Sequence, residues 1–246
     1  MPTSSQASLG AAFLQWMRES VHYRGLRKTT AYLVSQLREM VVDSLPERRR
    51  MRFGDIDFDC DFRVDTTWAR LPFKVRLREI LSERQYQPTV PYEFQLMMER
   101  MEIDFRDFTF IDLGSGKGRA LLLASEYPFR RIIGVELQPE LHDIAEQNIR
   151  AYHSPTQQCH DIQSYAADAR DFTLPDEPLV IYLFNPFPEY VIRTVTEIID
   201  RSIRQHPRPV FVIYNTPECG FVLNTARSLR RAITTDTFSI YVARGC

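Results

Sequence analysis

The segment from Thr109 to Arg119 constrains the fold more than any other part of the chain, because it joins an apolar run to a glycine-rich turn. The apolar residues from Phe108 to Leu113 predict a short buried strand, and those from Ala120 to Ser125 predict the start of a buried helix. Three glycines lie between the two, at positions 114, 116 and 118. Glycine is favoured where the backbone takes a positive φ and where a ligand must lie against bare backbone, and the free N–H groups of a following helix point toward such a ligand. The segment therefore predicts a strand–turn–helix cradle for part of a nucleotide-like cofactor.

Two common phosphate cradles match this segment incompletely. A P-loop requires G-x-x-x-x-G-K-[ST], and although Lys117 mimics its end, Ile111 replaces the first glycine and Gly118 replaces the Ser or Thr that would hold magnesium. A dinucleotide fingerprint requires G-x-G-x-x-G, and here Arg119 occupies the place of the third glycine. Both readings are therefore disfavoured by residues at defining positions.

The pattern D-L-G-S-G-x-G closely resembles that of class I S-adenosylmethionine (SAM) methyltransferases. The resemblance implies that Asp112 holds the ammonium group of the methionine moiety, and that the turn lets this moiety lie against the backbone. An acid at the end of a strand suits a cationic amino group and would repel a pyrophosphate, which favours SAM over the two phosphate cradles. The predicted residues of this turn are Gly114, Ser115, Gly116 and Gly118.

A second predicted strand, Arg131 to Glu136, also ends in an acid. Glu136 lies 22 residues beyond Gly114, and in doubly wound sheets an acid near this offset binds ribose hydroxyls. SAM and NAD sites share this feature, and a surface glutamate that simply ends a strand remains an alternative. We include the next residue, Leu137, in the predicted cofactor site.

A later segment resembles the part of these methyltransferases that contacts the adenine amino group. The resemblance implies that Asp168 makes this contact and that Ala169 lies beside it. By itself Asp168 is a weak signal, because aspartate often caps a helix.

Composition limits the possible partners. The 246 residues are 44% hydrophobic and 26% charged, as in ordinary globular proteins, and the net charge of −1 gives no bulk attraction to nucleic acid or membrane. The four cysteines are scattered, so that neither a disulfide framework nor a metal site is expected. No apolar run approaches the roughly 18 residues of a membrane span, and no signal peptide is evident, so we expect a cytoplasmic protein without a metal or a membrane anchor.

Residues 1–100 are predicted to form a helical region and a lid. Apolar residues recur at helical spacing before Gly25, and again from Thr29 or Thr30 until Pro46. The basic run from Arg48 to Arg52 favours a solvated linker over a phosphate site. The alternation from Asp55 to Phe62 predicts a half-exposed strand or an extended arm.

The order of three segments adds a second resemblance. Val64-Asp65-Thr66, then Tyr86-Gln87-Pro88-Thr89, then the glycine turn resemble a group of bacterial SAM methyltransferases of undefined substrate. The order also partly resembles the lysine methyltransferases of the Dot1 type and of the mitochondrial seven-strand type. This resemblance implies that Tyr86 and Thr89 flank the methionine end of SAM. An ordinary turn and helix cap is the alternative.

Residues 101–246 are predicted to form the SAM-binding domain. Helices are expected over 139–151, 190–204 and 221–231, strands over 179–184 and 210–214, and a closing antiparallel pair over 232–234 and 238–242. Strands that alternate with helices and end in a hairpin indicate an α/β fold. We expect a doubly wound, Rossmann-like, mostly parallel sheet with a C-terminal antiparallel hairpin, preceded by the N-terminal helical and extended lid.

The predicted fourth strand ends in Asn185-Pro186-Phe187, which resembles a shortened form of the [DN]-P-P-[YFW] signature of amino-methylating enzymes. The resemblance implies that Asn185 accepts hydrogen bonds from the target amine and that Phe187 forms a wall beside it. A strand-ending turn is the alternative, and Tyr214 and Asn215 are lesser candidates for the substrate pocket.

Together these patterns predict SAM-dependent methyl transfer to nitrogen. A protein lysine is the first acceptor to consider, a nucleic-acid base amine is the alternative, and a small molecule also remains open. A SAM- or RNA-binding module without turnover is the rival of a different class, and a nicotinamide oxidoreductase is the third option.

Overall fold

The computed structural model describes residues 9–42, 56–67, 71–82, 86–184 and 187–245. The chain divides into two compact units. The first comprises Met1–Cys60 and Thr67–Gln87, and the second comprises Asp61–Thr66 and Pro88–Cys246. The predicted division at residue 100 stays a prediction. Pro46 and the basic run from Arg48 to Arg52 lie outside the described residues.

Two helices open the first unit, α1 (Leu9–Arg24) and α2 (Leu26–Val42). Gly25 takes φ = 80° between them, as expected of a glycine that ends a helix. The helices pack through Trp16 and Tyr32, whose ring centroids are 5.9 Å apart. The second helix begins at Leu26, earlier than the sequence predicts.

The alternating segment after Asp55 forms helix α3 (Ile56–Phe62), so the predicted strand or extended arm is wrong. The same residues also place Phe58 and Phe62 four positions apart, a spacing that suits a helix. A helix satisfies its own backbone hydrogen bonds, whereas a strand requires a partner. The next helix is α4 (Phe73–Ser82).

The second unit contains a seven-stranded sheet in the order β3-β2-β1-β4-β5-β7-β6. Strands β1 to β5 run parallel, and β7 pairs antiparallel with both β5 and β6. The predicted Rossmann-like sheet with a C-terminal antiparallel hairpin is thus confirmed. In chain order the unit contains α5 (Pro91–Glu99), β1 (Thr109–Leu113), α6 (Arg119–Ala124), β2 (Arg131–Glu136), α7 (Pro139–Ala151), β3 (Ile162–Ala166), β4 (Leu179–Phe184), α8 (Glu189–Gln205), β5 (Val210–Asn215), α9 (Gly220–Leu223), β6 (Leu229–Thr234) and β7 (Phe238–Ala243).

The helix predicted over 221–231 is wrong, because only α9 is helical there and β6 already begins at Leu229. The strand is exposed at Arg230 and Arg231 and has a bulge before Ile233. Charged side chains and bulges are common on edge strands, where they discourage pairing with other chains. They also obscure the period-2 pattern from which a strand is recognised.

The core of the second unit lies between the sheet and the apolar face of α8. Strands β1 and β4 are buried along almost their whole length, as expected of central parallel strands covered on both faces. The parallel strands therefore deliver their carboxyl ends to one edge of the sheet, where ligands bind in folds of this kind.

Candidate functional site

The glycine turn after β1 has a backbone that other residues would strain. Gly114, Gly116 and Gly118 have φ values of 87°, 55° and 84°, in the left-handed region where only glycine is unstrained. The turn is tied to the neighbouring strand, because the N–H groups of Gly114 and Ser115 donate to the carbonyl of Val135 at 2.8 and 3.1 Å. We call residues 114–118 the cofactor loop.

Asp112 lies in β1 just before this loop, and its side chain is almost fully buried. Burial raises the pKa of the Asp112 carboxyl well above its ordinary value, and the Glu136 carboxylate raises that pKa further. Among the described residues, none donates a hydrogen bond to the Asp112 carboxylate and no Lys or Arg forms an ion pair with it. The site therefore holds a buried acid whose charge lacks a partner in this part of the chain.

Glu136 ends β2 and is also buried. Its carboxylate accepts hydrogen bonds from the N–H of Gly116 at 2.9 Å and from the N–H of Gln138 at 2.7 Å. Burial raises the pKa of Glu136, while these N–H groups and His142 partly offset the rise. Glu136 thus fixes the cofactor loop directly, a role that its sequence position did not indicate.

Gly134 allows the cofactor loop to lie close to β2. A Cβ atom at this position would lie 2.6 Å from Leu121 Cδ1 and 2.8 Å from Ser115 Oγ. Such distances are too short for non-bonded atoms, so any larger residue would force the side chains of Leu121 and Ser115 to shift. The buried Ser115 hydroxyl has no hydrogen-bond partner among the described residues.

A short segment from before the sheet holds the other side of the cofactor loop. We call residues 61–66 the strap. The ammonium of Lys117 is fully buried and lies 2.9 Å from Asp65 Oδ1, and Arg119 Nε donates to Thr66 Oγ1. Asn148 of α7 completes the contact, because its amide accepts from the Asp65 N–H at 2.7 Å and donates to the carbonyls of Asp65 and Lys117 at 2.8 Å each.

These contacts bear on the phosphate cradles. Lys117 is the residue that would meet a phosphate in a P-loop, and it binds the strap instead, as Arg119 also does. The sequence singled out Val64-Asp65-Thr66 only as part of a resemblance, and it gave no sign that these residues contact the glycine turn. Their partners in α6 and α7 were missed.

A buried polar trio lies beside Asp112. Tyr182 of β4 is next to Asp112 in the strand register, and its hydroxyl bonds to Thr89 Oγ1 and to Asn215 Nδ2, each at 3.1 Å. Burial raises the pKa of Tyr182 despite both hydrogen bonds. Thr89, predicted to flank the methionine end of SAM, thus binds the phenol of Tyr182. Tyr86 belongs to the first unit, and its predicted role stays a prediction.

The adenine-binding prediction concerns residues near the end of β3. The guanidinium of Arg170 donates to both oxygens of Asp168, at 3.0 Å from Nε and 2.6 Å from Nη2, and its hydrogen bond lowers the pKa of Asp168. Ala169 is buried, whereas Leu137 is 63% exposed. Contact of these three residues with adenine stays a prediction.

The predicted acceptor site is described only in part. Asn185 lies outside the described residues, whereas Phe187 is partly buried and packs against the core cluster. The end of β5 adds an unexpected feature, because Thr216 has φ = 51° and donates its N–H to Thr237 at 2.7 Å. A β-branched residue in this conformation is strained, and such strain is frequent near functional sites.

The described residues contain neither a candidate membrane span nor a candidate metal site. No helix there is long and apolar enough to cross a membrane. No group of three or more His, Cys, Asp and Glu side chains in those ranges is placed to hold a metal ion.

Comparison with known proteins gave only distant likenesses. No protein-family model matches the chain, and no curated protein matches it. The structure is similar to an RNA methyltransferase from Salinibacter ruber in complex with S-adenosyl-L-homocysteine, at 18% identity and a TM-score of 0.43 over 63% of this chain and 92% of that one. It is also similar to a predicted N6-adenine-specific DNA methylase from Listeria monocytogenes, at 15% identity and a TM-score of 0.48 over 65% of this chain and 52% of that one.

A third similar structure is a ribosomal protein L11 methylase from Lactobacillus delbrueckii, at 14% identity and a TM-score of 0.44 over 61% of this chain and 76% of that one. The Rossmann-like sheet is established by the strand order of this chain itself. Likenesses this distant do not assign an activity, which must follow from the residues of the site.

Proposed function

We propose that this protein is a SAM-dependent methyltransferase. The observation that carries the proposal is Asp112, a buried carboxylate near the end of the first strand that has no cationic partner among the described residues. Isolated buried charges are costly and are normally paired. The ammonium of a methionine moiety would provide that partner.

The charge around the cofactor loop also disfavours a pyrophosphate. Asp112 and Glu136 are both buried beside the loop, and their charges would repel a phosphate. The two basic residues of the turn are bound to the strap. A ligand with a cationic amino group at one end and ribose hydroxyls nearby fits this distribution better than a dinucleotide.

Each predicted cofactor residue has a role in this proposal. Asp112 would bind the ammonium, and the loop of Gly114, Ser115, Gly116 and Gly118 would receive the methionine backbone. Glu136 would bind the ribose hydroxyls, since a carboxylate has about four acceptor positions and two of those on Glu136 are used by backbone N–H groups. The adenine would lie among Leu137, Asp168 and Ala169, while Tyr86 and Thr89 would flank the methionine end.

SAM supplies a methyl group already attached to a good leaving group, a sulfonium. The protein therefore contributes chiefly by placing the acceptor correctly, and positioning alone can supply several kcal/mol of the rate enhancement. Asn185 would orient the acceptor through its side-chain oxygen, and Phe187 would form one wall of the acceptor pocket. An amine suits this arrangement because its N–H groups can donate to the asparagine oxygen while its lone pair stays free.

We propose a protein lysine as the first acceptor to test and a nucleic-acid base amine as the alternative. The three similar structures do not decide between these, because their descriptions name RNA, DNA and a ribosomal protein. A module that binds SAM or RNA without turnover is the remaining alternative. The cytoplasmic location stays a prediction of the sequence.

Transfer of a tritiated methyl group from SAM into cell extract tests the proposal. The purified protein should label one macromolecular fraction, and digestion of that fraction with nuclease or protease identifies its class. Asn185→Ala is the matched control, and it should bind SAM as the wild type does but transfer no label. A wild type that binds SAM yet labels nothing would support the non-catalytic module, and a fully active Asn185→Ala would place the acceptor site elsewhere.

A further inference from the structure

The cofactor loop is held from two sides by different chemistry. On the sheet side, Glu136 accepts from the N–H of Gly116. On the outer side, the strap holds Lys117 through the buried ion pair with Asp65 and through the Asn148 amide, which donates to the Lys117 carbonyl. Lys117 lies between two glycines, so these contacts act on the most deformable part of the backbone.

Asn148 is well suited to fix this arrangement. The residue is 3% exposed, and both of its amide hydrogens donate to backbone carbonyls while its side-chain oxygen accepts from the Asp65 N–H. A buried amide with all its hydrogens used has one favourable orientation, because any rotation would leave a polar atom unpaired. The strap is thereby held in register with the carbonyl of Lys117.

Glycine residues in the left-handed region lose more conformational freedom on ordering than other residues do. A loop that contains three such glycines would lose this conformational entropy when a ligand binds, unless other contacts order the loop first. The Asp65–Lys117 pair is the contact best placed to do so, since the ammonium of Lys117 is fully buried and lies 2.9 Å from the Asp65 carboxylate.

We propose that Asp65 is a positioning residue, which orders the cofactor loop before the ligand arrives and thereby sets the affinity for the cofactor. Asp65 acts through Lys117 and Asn148. This inference rests on the proposed function for the identity of the ligand, whereas the order of the loop can be measured on the ligand-free protein.

The first measurement is amide hydrogen exchange of the ligand-free protein. Asp65→Asn keeps the shape of the side chain and the backbone bonds to Asn148 but removes the charge that faces Lys117. We expect faster exchange in peptides that cover residues 114–118, by about tenfold, with little change in peptides of β4 and β5. The double variant Asp65→Asn with Lys117→Met removes both charges and should restore most of the protection.

Glu177→Gln is the matched control. Glu177 also forms a partly buried ion pair, 2.6 Å from Arg131, but this pair lies at the amino ends of the strands. This control should lower the melting temperature without accelerating exchange in the loop. Equal acceleration in both single variants, or none in Asp65→Asn, would overturn the proposal. If Asp65→Asn does not fold, Asn148→Ala provides the same comparison, because it removes the bonds to the strap and to Lys117.

The second measurement is calorimetric titration with S-adenosylhomocysteine. Asp65→Asn should raise the Kd about tenfold, the double variant should recover most of the affinity, and Glu177→Gln should bind as the wild type does. Wild-type affinity in Asp65→Asn would contradict the proposal. If the wild type itself does not bind this ligand, the proposed function fails, whereas hydrogen exchange still decides whether Asp65 orders the loop.

Discussion

Replacing Asp112 with asparagine should have opposite effects on stability and on cofactor binding. Asp112 is 4% exposed, and no described residue donates a hydrogen bond to its carboxylate. In the ligand-free protein its charge is therefore a cost, which asparagine avoids at nearly constant volume. In the complex the same charge would be the partner of the ammonium, so its loss should weaken binding.

The magnitudes follow from the burial of the site. Removing one partner of a buried ion pair costs about 3–5 kcal/mol, and because each 1.4 kcal/mol is about tenfold, the Kd for SAM should rise by at least about 100-fold. Relief of the unpaired charge should stabilise the ligand-free protein by about 1 kcal/mol or more. For a chain of this size, that corresponds to a melting temperature about 2–4 °C higher.

The effect on stability should depend on pH. Because burial raises the pKa of Asp112 in the folded state, the folded protein holds this proton more tightly than the unfolded chain does. The resulting stability is complete below the unfolded pKa of about 3.9 and is lost as the pH rises through the higher folded value. The advantage of Asp112→Asn should therefore be small near pH 4 and grow as the pH rises, and SAM affinity of the wild type should increase over the same range.

Thermal unfolding from about pH 4 to 8, together with calorimetric titration of SAM, measures both effects. Glu177→Gln serves as a control, because it removes a carboxylate whose pKa is lowered, by Thr109, Arg131 and Arg130 together, rather than raised. A variant that is less stable than the wild type at high pH, or that binds SAM normally, would refute the assignment of Asp112.

Three further substitutions separate stability from binding. Gly134→Ala would force a Cβ against the side chains of Leu121 and Ser115. It should cost about 1–3 kcal/mol in urea unfolding and weaken binding, because Ser115 belongs to the cofactor loop. A wild-type unfolding midpoint would show that this packing is not tight. Tyr182→Phe removes the hydroxyl at the centre of the buried trio. It should reduce the free energy of unfolding by about 1–2 kcal/mol, which a lower melting temperature would show. An unchanged melting temperature would mean that the trio adds no net stability. Arg208→Met removes a buried guanidinium that donates to four backbone carbonyls near the amino ends of the strands. It should lower stability by about 3 kcal/mol without changing the Kd for S-adenosylhomocysteine. A changed Kd would show that the two ends of the sheet are energetically coupled.

Local signals in the sequence were sufficient to predict the sheet and the glycine turn. The segments of β1, β2 and β4 are mostly apolar and are bounded by turn residues, and the glycines at 114, 116 and 118 do take the positive φ that their spacing indicated. The strand order also agrees with the expected mostly parallel sheet and antiparallel hairpin. These features depend on neighbouring residues, which a single sequence displays.

Contacts between distant residues were not predictable in this way. Asp65 and Asn148 are separated by 83 positions in the chain, and no periodicity or local motif connects them. Lys117 resembled a phosphate-binding lysine because its neighbours in the sequence are glycines. Its actual partner, Asp65, is known only once the chain is folded.

The two elements whose secondary structure was predicted wrongly show a different limit of prediction from sequence. Helix α3 was predicted as a strand because its apolar residues alternate, yet the same residues place Phe58 and Phe62 at helical spacing. The first half of β6, from Leu229 to Arg231, was predicted as part of a helix because the arginines of this edge strand interrupt its alternation. In both segments the pattern is short and fits two periods, so that packing decides between them.

Calorimetric titration of the wild-type protein with SAM, and in parallel with NAD, asks whether a buried carboxylate or a phosphate cradle defines this site. We expect SAM to bind with one molecule per chain, with an affinity that rises with pH, while NAD produces no heat of binding. Binding of NAD in place of SAM would contradict the assignment of Asp112 and of the cofactor loop.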